Sequence, residues 1–119
     1  RREMRALYAA ADAFCLPTRG EGWGLPVHEA MAMALPVVAT NFSGVAALAA
    51  AADAWLLPPG ELRGGFAQPT ARDVARALRD VAGDRAAAAD VGRRGRTRVA
   101  SLFSPEAVAR AIVAAVEEV

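Results

Sequence analysis

Glu21 and Glu29 stand eight positions apart, and Gly22-Trp23-Gly24-Leu25-Pro26-Val27-His28 lies between them. Ionised carboxylates accept hydrogen bonds from hydroxyl groups of a ligand. Gly22 and Gly24 let the backbone itself approach a ligand. Pro26 suits the first turn of a helix, whose free N–H groups and positive dipole end attract an anion. The loop and the helix start therefore offer backbone N–H groups to an anion, although Pro26 itself offers none. Glu29, in the first turn, should project back toward the helix start, so that both carboxylates face one pocket. Each has a plainer reading: Glu21 as a solvated turn residue, Glu29 as a complement to the helix dipole.

The elements on either side must hold this stretch in place. Ala13 to Leu16 is a continuous apolar run that stops at Pro17, and its place before the glycine loop marks it as a strand buried on both faces. The helix is expected from Pro26 to Ala34, burying Val27, Ala30, Met31 and Ala34, and ending as Leu35 meets Pro36. Val37-Val38-Ala39-Thr40 is the next strand. Strand, helix and strand form a βαβ unit with a right-handed connection, so the sheet is parallel. Ligands of such sheets lie beyond the carboxyl ends of the strands, where Asn41-Phe42-Ser43-Gly44 would form a second wall beside the glutamate loop.

The rest of the chain reads as helices with one further strand. Met4, Leu7, Tyr8 and Ala11 recur at helical spacing, which predicts an amino-terminal helix packed on the sheet. Ala46 to Ala52 is expected as a short helix, Trp55-Leu56-Leu57 as a third strand, and 61–69 as a loop. Thr70 with Asp73 resembles a capping box for a helix that buries Val74, Ala77, Leu78 and Val81. Ala86 to Leu102 is expected as helix despite Gly92 and Gly95, each costing about 1 kcal/mol against alanine. Ser104 and Pro105 then cap a last helix with an apolar stripe of Val108, Ala111, Ile112, Ala115, Val116 and Val119.

The motif Glu-Gly-Trp-Gly-Leu-Pro-x-x-Glu-Ala-Met-Ala, followed by Pro-Val-Val-Ala-Thr-Asn, resembles the signature of retaining GT-B glycosyltransferases of family 4, the glycosyl transferases of group 1. Weaker likeness continues through Leu57-Pro58-Pro59-Gly60, Gly92-x-x-Gly95-Arg96 and Phe103-Ser104-Pro105. The resemblance implies an α/β fold, a Rossmann-like parallel sheet with helices on both faces, forming part of a C-terminal donor domain over 1–119 with a terminal helix at 103–119. It implies transfer from a nucleotide-diphosphate sugar, with retention of configuration, to an unknown acceptor that is a sugar, glycan or lipid. Glu21 would be the catalytic-site residue that holds the donor sugar. Gly22, Trp23, Gly24 and Leu25 would hold the diphosphate, and Glu29 the ribose. Trp23 stands where the family commonly has phenylalanine, and Gly44-Val45-Ala46-Ala47-Leu48 replaces the usual Gly-x-x-Glu. In the resembling enzymes an arginine and a lysine that neutralise the diphosphate, and the acceptor-binding N-terminal domain, lie upstream of the matched region. The chain starts Arg1-Arg2-Glu3, and it is expected to be a fragment inactive by itself. The terminal helices of the resembling enzymes return toward that N-terminal domain, which gives the last stripe a partner; otherwise it is simply core. The alternatives are a catalytically silent binding module from a truncated or degenerate transferase, a GT-B phosphorylase and a sugar-nucleotide epimerase.

Composition sets bounds on these readings. At 119 residues and 55% apolar, the chain is one domain with ample core. A net charge of +1 gives no field for nucleic acid, and Arg93, Arg94, Arg96 and Arg98 lack interleaved aromatics, so they read as a solvated helix face. There is no lysine, which excludes a phosphate-loop or Schiff-base lysine from this stretch. The glycine pattern is not Gly-x-Gly-x-x-Gly, so a nicotinamide or flavin cofactor is not supported. No cofactor is expected beyond the donor substrate. With one histidine, one cysteine and no Asp-x-Asp, no metal site is expected, and transfer should be metal-independent. His28 is expected to be structural or at the surface. Cys15 is expected to be buried and inert, and a lone cysteine suits a cytoplasmic compartment, with peripheral membrane association only through parts outside the sequence. No apolar run reaches membrane-spanning length.

Overall fold

The computed structural model describes residues 2–118. In chain order the elements are α1 (Arg2–Ala9), β1 (Phe14–Leu16), α2 (Leu25–Ala32), β2 (Val37–Thr40), α3 (Gly44–Leu48), β3 (Trp55–Leu57), α4 (Ala71–Gly83), α5 (Arg85–Phe103) and α6 (Pro105–Glu117). The strands form one sheet in the order β1-β2-β3. All pairs are parallel, with Phe14 opposite Val37 and Val38 opposite Trp55.

Alternation along the strands divides the core in two, as it must when both faces are covered. Phe14, Leu16, Val37, Ala39 and Leu56 pack on one face against Val27, Ala30 and Met31 of α2 and Val45 and Leu48 of α3. Val38 and Leu57 pack on the other against Ala77 and Val81 of α4 and Ala88 of α5. The expected fold class, a Rossmann-like parallel sheet with helices on both faces, is what forms.

α5 lies along α2. Gly92 sits under the carbonyl of Ala34, Gly95 against the Met31 side chain and the Asp53 carbonyl, and Phe103 against His28. A Cβ at Gly92 would overlap the Ala34 carbonyl oxygen and come 2.9 Å from its carbon. The two glycines that weaken α5 as an isolated helix are thus what lets it approach α2. Arg94 Nε donates to the Ala52 carbonyl at 2.7 Å and Arg98 Nε to the Leu48 carbonyl at 2.5 Å. These arginines tie α5 to the end of α3 and the turn before β3; Arg93, Arg94 and Arg96 are exposed as expected of a solvated face, while Arg98 is half-buried.

Several expected boundaries and burials differ. α2 starts at Leu25 and ends at Ala32, because Ala34 adopts a left-handed conformation at φ 59°. That lets Leu35 N–H donate to the Ala30 carbonyl and Ala34 N–H to the Met31 carbonyl. α3 starts at Gly44 rather than Ala46 and stops at Leu48. In α1 only Tyr8 is buried; Met4 and Leu7 are exposed, because the helix meets the core through the Tyr8 ring, 5.9 Å from Phe14. Cys15 is exposed instead of buried, because β1 is an edge strand and α4 packs over β2 and β3. Leu78 is also exposed, at the margin of the α4 face. Thr70 does cap α4, accepting from Asp73 N–H at 3.2 Å, and Ser104 caps α6 from Ala107 N–H at 3.2 Å. The α6 stripe is not core: Val108, Ile112 and Val116 are all exposed, Val116 at 69%, and the helix packs chiefly on α5. Val119 lies outside the described residues.

Candidate functional site

At the carboxyl edge of the sheet, the glycine loop is built on the segment that follows β2. Glu21 N–H donates to Ser43 Oγ at 2.9 Å, and Gly44 N–H donates back to the Glu21 carbonyl at 3.3 Å. A Cβ at Gly44 would lie 2.6 Å from the Gly22 carbonyl oxygen and 2.7 Å from Trp23 Cα, so only glycine permits this approach. Ser43 is held at φ 50°, ψ −131°, a conformation that L-residues rarely adopt and that costs about 1–3 kcal/mol. Of the segment expected as a second wall, Ser43 and Gly44 are the residues that contact the glycine loop. Gly24, at φ 82°, turns the chain into α2. Among the described residues, the N–H groups of Gly22, Trp23, Gly24 and Leu25 donate to nothing, while Val27 and His28 already donate to the Gly24 carbonyl. The loop thus presents a row of free donors at the positive end of α2.

Glu29 is not in the first turn of α2, because the helix starts at Leu25 and Glu29 is its fifth residue. Its Oε2 accepts a hydrogen bond from the Tyr8 hydroxyl at 2.9 Å. The two residues line a cavity of about 540 Å³ with Met4, Arg5, Ala32 and Met33. Burial, the bond to Glu29 and its negative charge together push the Tyr8 hydroxyl above its ordinary pKa, so it remains a donor at neutral pH. Glu21 does not line this cavity, which corrects the expectation that both carboxylates face one pocket. The reason is the later register of Glu29 on α2, which turns its carboxylate toward α1.

A further contact to the glycine loop comes from 61–69, which the sequence predicts only as a loop. Gly64 and Gly65, at φ 59° and 80°, form the tight turn of a small hairpin in which Arg63 and Phe66 exchange N–H···O bonds of 3.0 and 3.1 Å. Phe66 reaches back to the glycine loop: the Arg19 guanidinium lies 5.8 Å over its ring, and Ala67 N–H donates to the Arg19 carbonyl at 2.8 Å. The Gly-Gly pair between residues able to pair across a turn is the local signal that points to this hairpin.

Beneath the loop sits an aromatic cluster. Trp23 stacks on His28 with ring centres 5.6 Å apart and planes 26° apart. Phe103 meets both rings edge-on, 5.7 Å from Trp23 and 4.6 Å from His28. His28 is only 9% exposed, and its Nε2 has no hydrogen-bond partner among the described residues. Burial lowers its pKa, so the ring is neutral at pH 7. Of the two roles open to His28, the structure selects the buried structural one. Tyr8 and Phe103 carry no local signal of a site role, because their partners lie 21 and 75 positions away in the chain.

A parallel three-stranded α/β sheet with helices on both faces has the architecture of a GT-B glycosyltransferase domain. Residues 1–80 match the family described as "Glycosyl transferases group 1", and the chain belongs to that family. It is 39% identical over 59 residues, half of this chain, to a D-inositol 3-phosphate glycosyltransferase of Corynebacterium urealyticum. It is 44% identical over 43 residues, 36% of this chain, to an O-antigen chain mannosyltransferase B of Escherichia coli. These matches span 14% and 11% of those proteins' lengths. A sucrose-phosphate synthase structure from Thermosynechococcus elongatus superposes on 94% of the chain with a TM-score of 0.74 and 30% identity, spanning 26% of that chain. Anabaena Alr3699/HepE in complex with UDP superposes on all of it with a TM-score of 0.80 and 21% identity, spanning 31% of that chain, a likeness of fold.

Proposed function

We propose that this chain forms the donor-binding part of a retaining glycosyltransferase of family 4 that takes a nucleotide-diphosphate sugar. The observation that carries the reading is the row of free N–H groups from Gly22 to Leu25, fixed by Ser43 and Gly44 and flanked by Glu21 and Glu29. These donors and the α2 dipole bind the diphosphate and stabilise the charge that builds on it as the sugar departs. Glu21 accepts hydrogen bonds from the sugar hydroxyls. Glu29, oriented by Tyr8, accepts from the ribose hydroxyls. Transfer needs no metal in this reading. The acceptor, a sugar, glycan or lipid, is met by a further N-terminal domain of the whole protein, and the exposed α6 stripe lies against that domain. The free, exposed Cys15 suits a cytoplasmic setting. Isolated, the chain binds nucleotide weakly and transfers nothing, because an exposed helix dipole contributes only about 0.3–1 kcal/mol. The complex of HepE with UDP-glucose supports the donor class by analogy of fold.

The experiment is a titration with UDP, GDP and ADP and their sugars, read by backbone amide shifts and by transfer in the full-length protein. Glu29→Gln should weaken every nucleotide about tenfold or more, the loss of a hydrogen bond to a charged group. Glu21→Gln should weaken the sugar nucleotides and spare the bare nucleotides. Unmoved Gly22 to Leu25 amides at millimolar nucleotide would refute the reading. One observation favours a silent binding module: Ala47, the position of the glutamate in the Gly-x-x-Glu of the resembling enzymes, is exposed and carries no polar group. A full-length protein that binds donor normally and transfers nothing would establish that alternative. A requirement for inorganic phosphate would instead mark a phosphorylase, and turnover without acceptor an epimerase.

A further inference from the structure

The glycine loop has few restraints of its own. A Cβ at Gly22 would meet nothing within 4 Å, Trp23 is 47% exposed, and the glycines on either side of Trp23 contribute no side chain to hold the loop. Two hydrogen bonds hold the loop at Glu21, the Gly22 and Trp23 backbones lie against Gly44, and Gly24 caps the start of α2; between Glu21 and Leu25 the Trp23 ring is the loop's side-chain anchor. That ring rests on His28 and Phe103, which come from the first turns of α2 and from the last residue of α5. His28 is buried, neutral and without a partner for Nε2, so in this site it acts as a flat aromatic surface and not as a proton carrier. Phe103 is followed directly by Ser104, the residue where α5 gives way to α6.

We propose that His28 and Phe103 are positioning residues of the glycine loop. Their rings fix Trp23, and through it the N–H groups of Gly22 and Gly24, so that the α5–α6 junction sets the geometry of the phosphate-facing loop. The ligand part of this inference rests on the donor reading above; the restraint on Trp23 does not. Any change in the direction of α6 would be felt first at Phe103 and next at Trp23, which it touches directly. The coupling runs through packing alone, since no hydrogen bond links the three rings among the described residues.

The test uses the chain carrying Trp55→Phe, so that Trp23 is its single tryptophan. Acrylamide quenching of Trp23, amide relaxation at Gly22 and Gly24, and a UDP titration followed by amide shifts are measured together. Phe103→Leu keeps an apolar side chain but removes the ring. It should raise Trp23 quenching, broaden both glycine amides and weaken UDP by about 2- to 12-fold, the range expected for losing an aromatic pair. Phe103→Tyr should restore all three, which a purely bulk packing role would not require. His28→Val should act like Phe103→Leu, and His28→Phe like wild type; this second pair decides the matter if Phe103→Leu fails to fold. Folded ring-deleted variants with unchanged Trp23 quenching and unchanged loop amides would overturn the proposal, as would a mobile Trp23 with undiminished UDP binding. If the parent chain shows no UDP shifts at all, the donor reading fails by itself, and quenching and relaxation still decide the positioning role.

Discussion

The Tyr8 hydroxyl donates to Glu29 Oε2 across 2.9 Å, joining the first helix of the chain to the carboxylate that follows the glycine loop. Tyr8 is buried and Glu29 is exposed, so the fixed partner orients the free one. Tyr8→Phe keeps the ring and removes the bond. It should weaken UDP binding about tenfold while lowering stability by about 1 kcal/mol, read by titration and by urea unfolding.

Gly44→Ala places a methyl group against the Gly22 carbonyl and the Trp23 backbone, neither of which is a flexible side-chain end. It should destabilise the fold by about 1–3 kcal/mol and displace the Gly22 and Trp23 amide signals, as overpacking does.

Helix glycines should divide by environment. Gly83 has open space where a methyl group would stand, and its change to alanine should add about 0.4–1 kcal/mol of stability. Gly92→Ala should lose more than its helix propensity returns, because the methyl meets the Ala34 carbonyl of the neighbouring turn. Chemical denaturation of the two variants side by side gives opposite signs if α5 packs on α2 as described.

His28 gives a pH signature. Its pKa is lowered in the folded state by burial, so the unfolded chain binds the proton first as pH falls. Stability from this group is complete above the unfolded value of about 6.5 and is lost as pH drops from there through the folded value. His28→Phe should flatten that part of the profile, measured as the urea midpoint against pH.

The exposed α6 stripe should make the isolated chain self-associate. Ile112 at 59% exposure and Val116 at 69% lie on one helix face with Val108. Ile112→Arg with Val116→Arg should shift the sedimentation profile toward monomer without changing the circular dichroism spectrum.

The order of elements is legible in the sequence because each carries its own local cause. Pro17 and Pro36 bound the first strand and the first crossover, Thr70 and Ser104 cap their helices, and the apolar run at Val37 to Thr40 has nowhere to lie but inside a sheet. The glycine loop between Glu21 and Glu29 is legible for the same reason: its residue types are set by its own backbone and by the ligand chemistry they suit. What only the tertiary structure decided are relations between distant parts. The Tyr8–Glu29 bond, the Phe66 contact with Arg19 and the Trp23–His28–Phe103 stack each join segments that the local pattern treats as independent. Cys15 and the α6 stripe show the same limit from the other side. An apolar residue declares that it can be buried, and only the placement of its neighbours determines whether anything covers it.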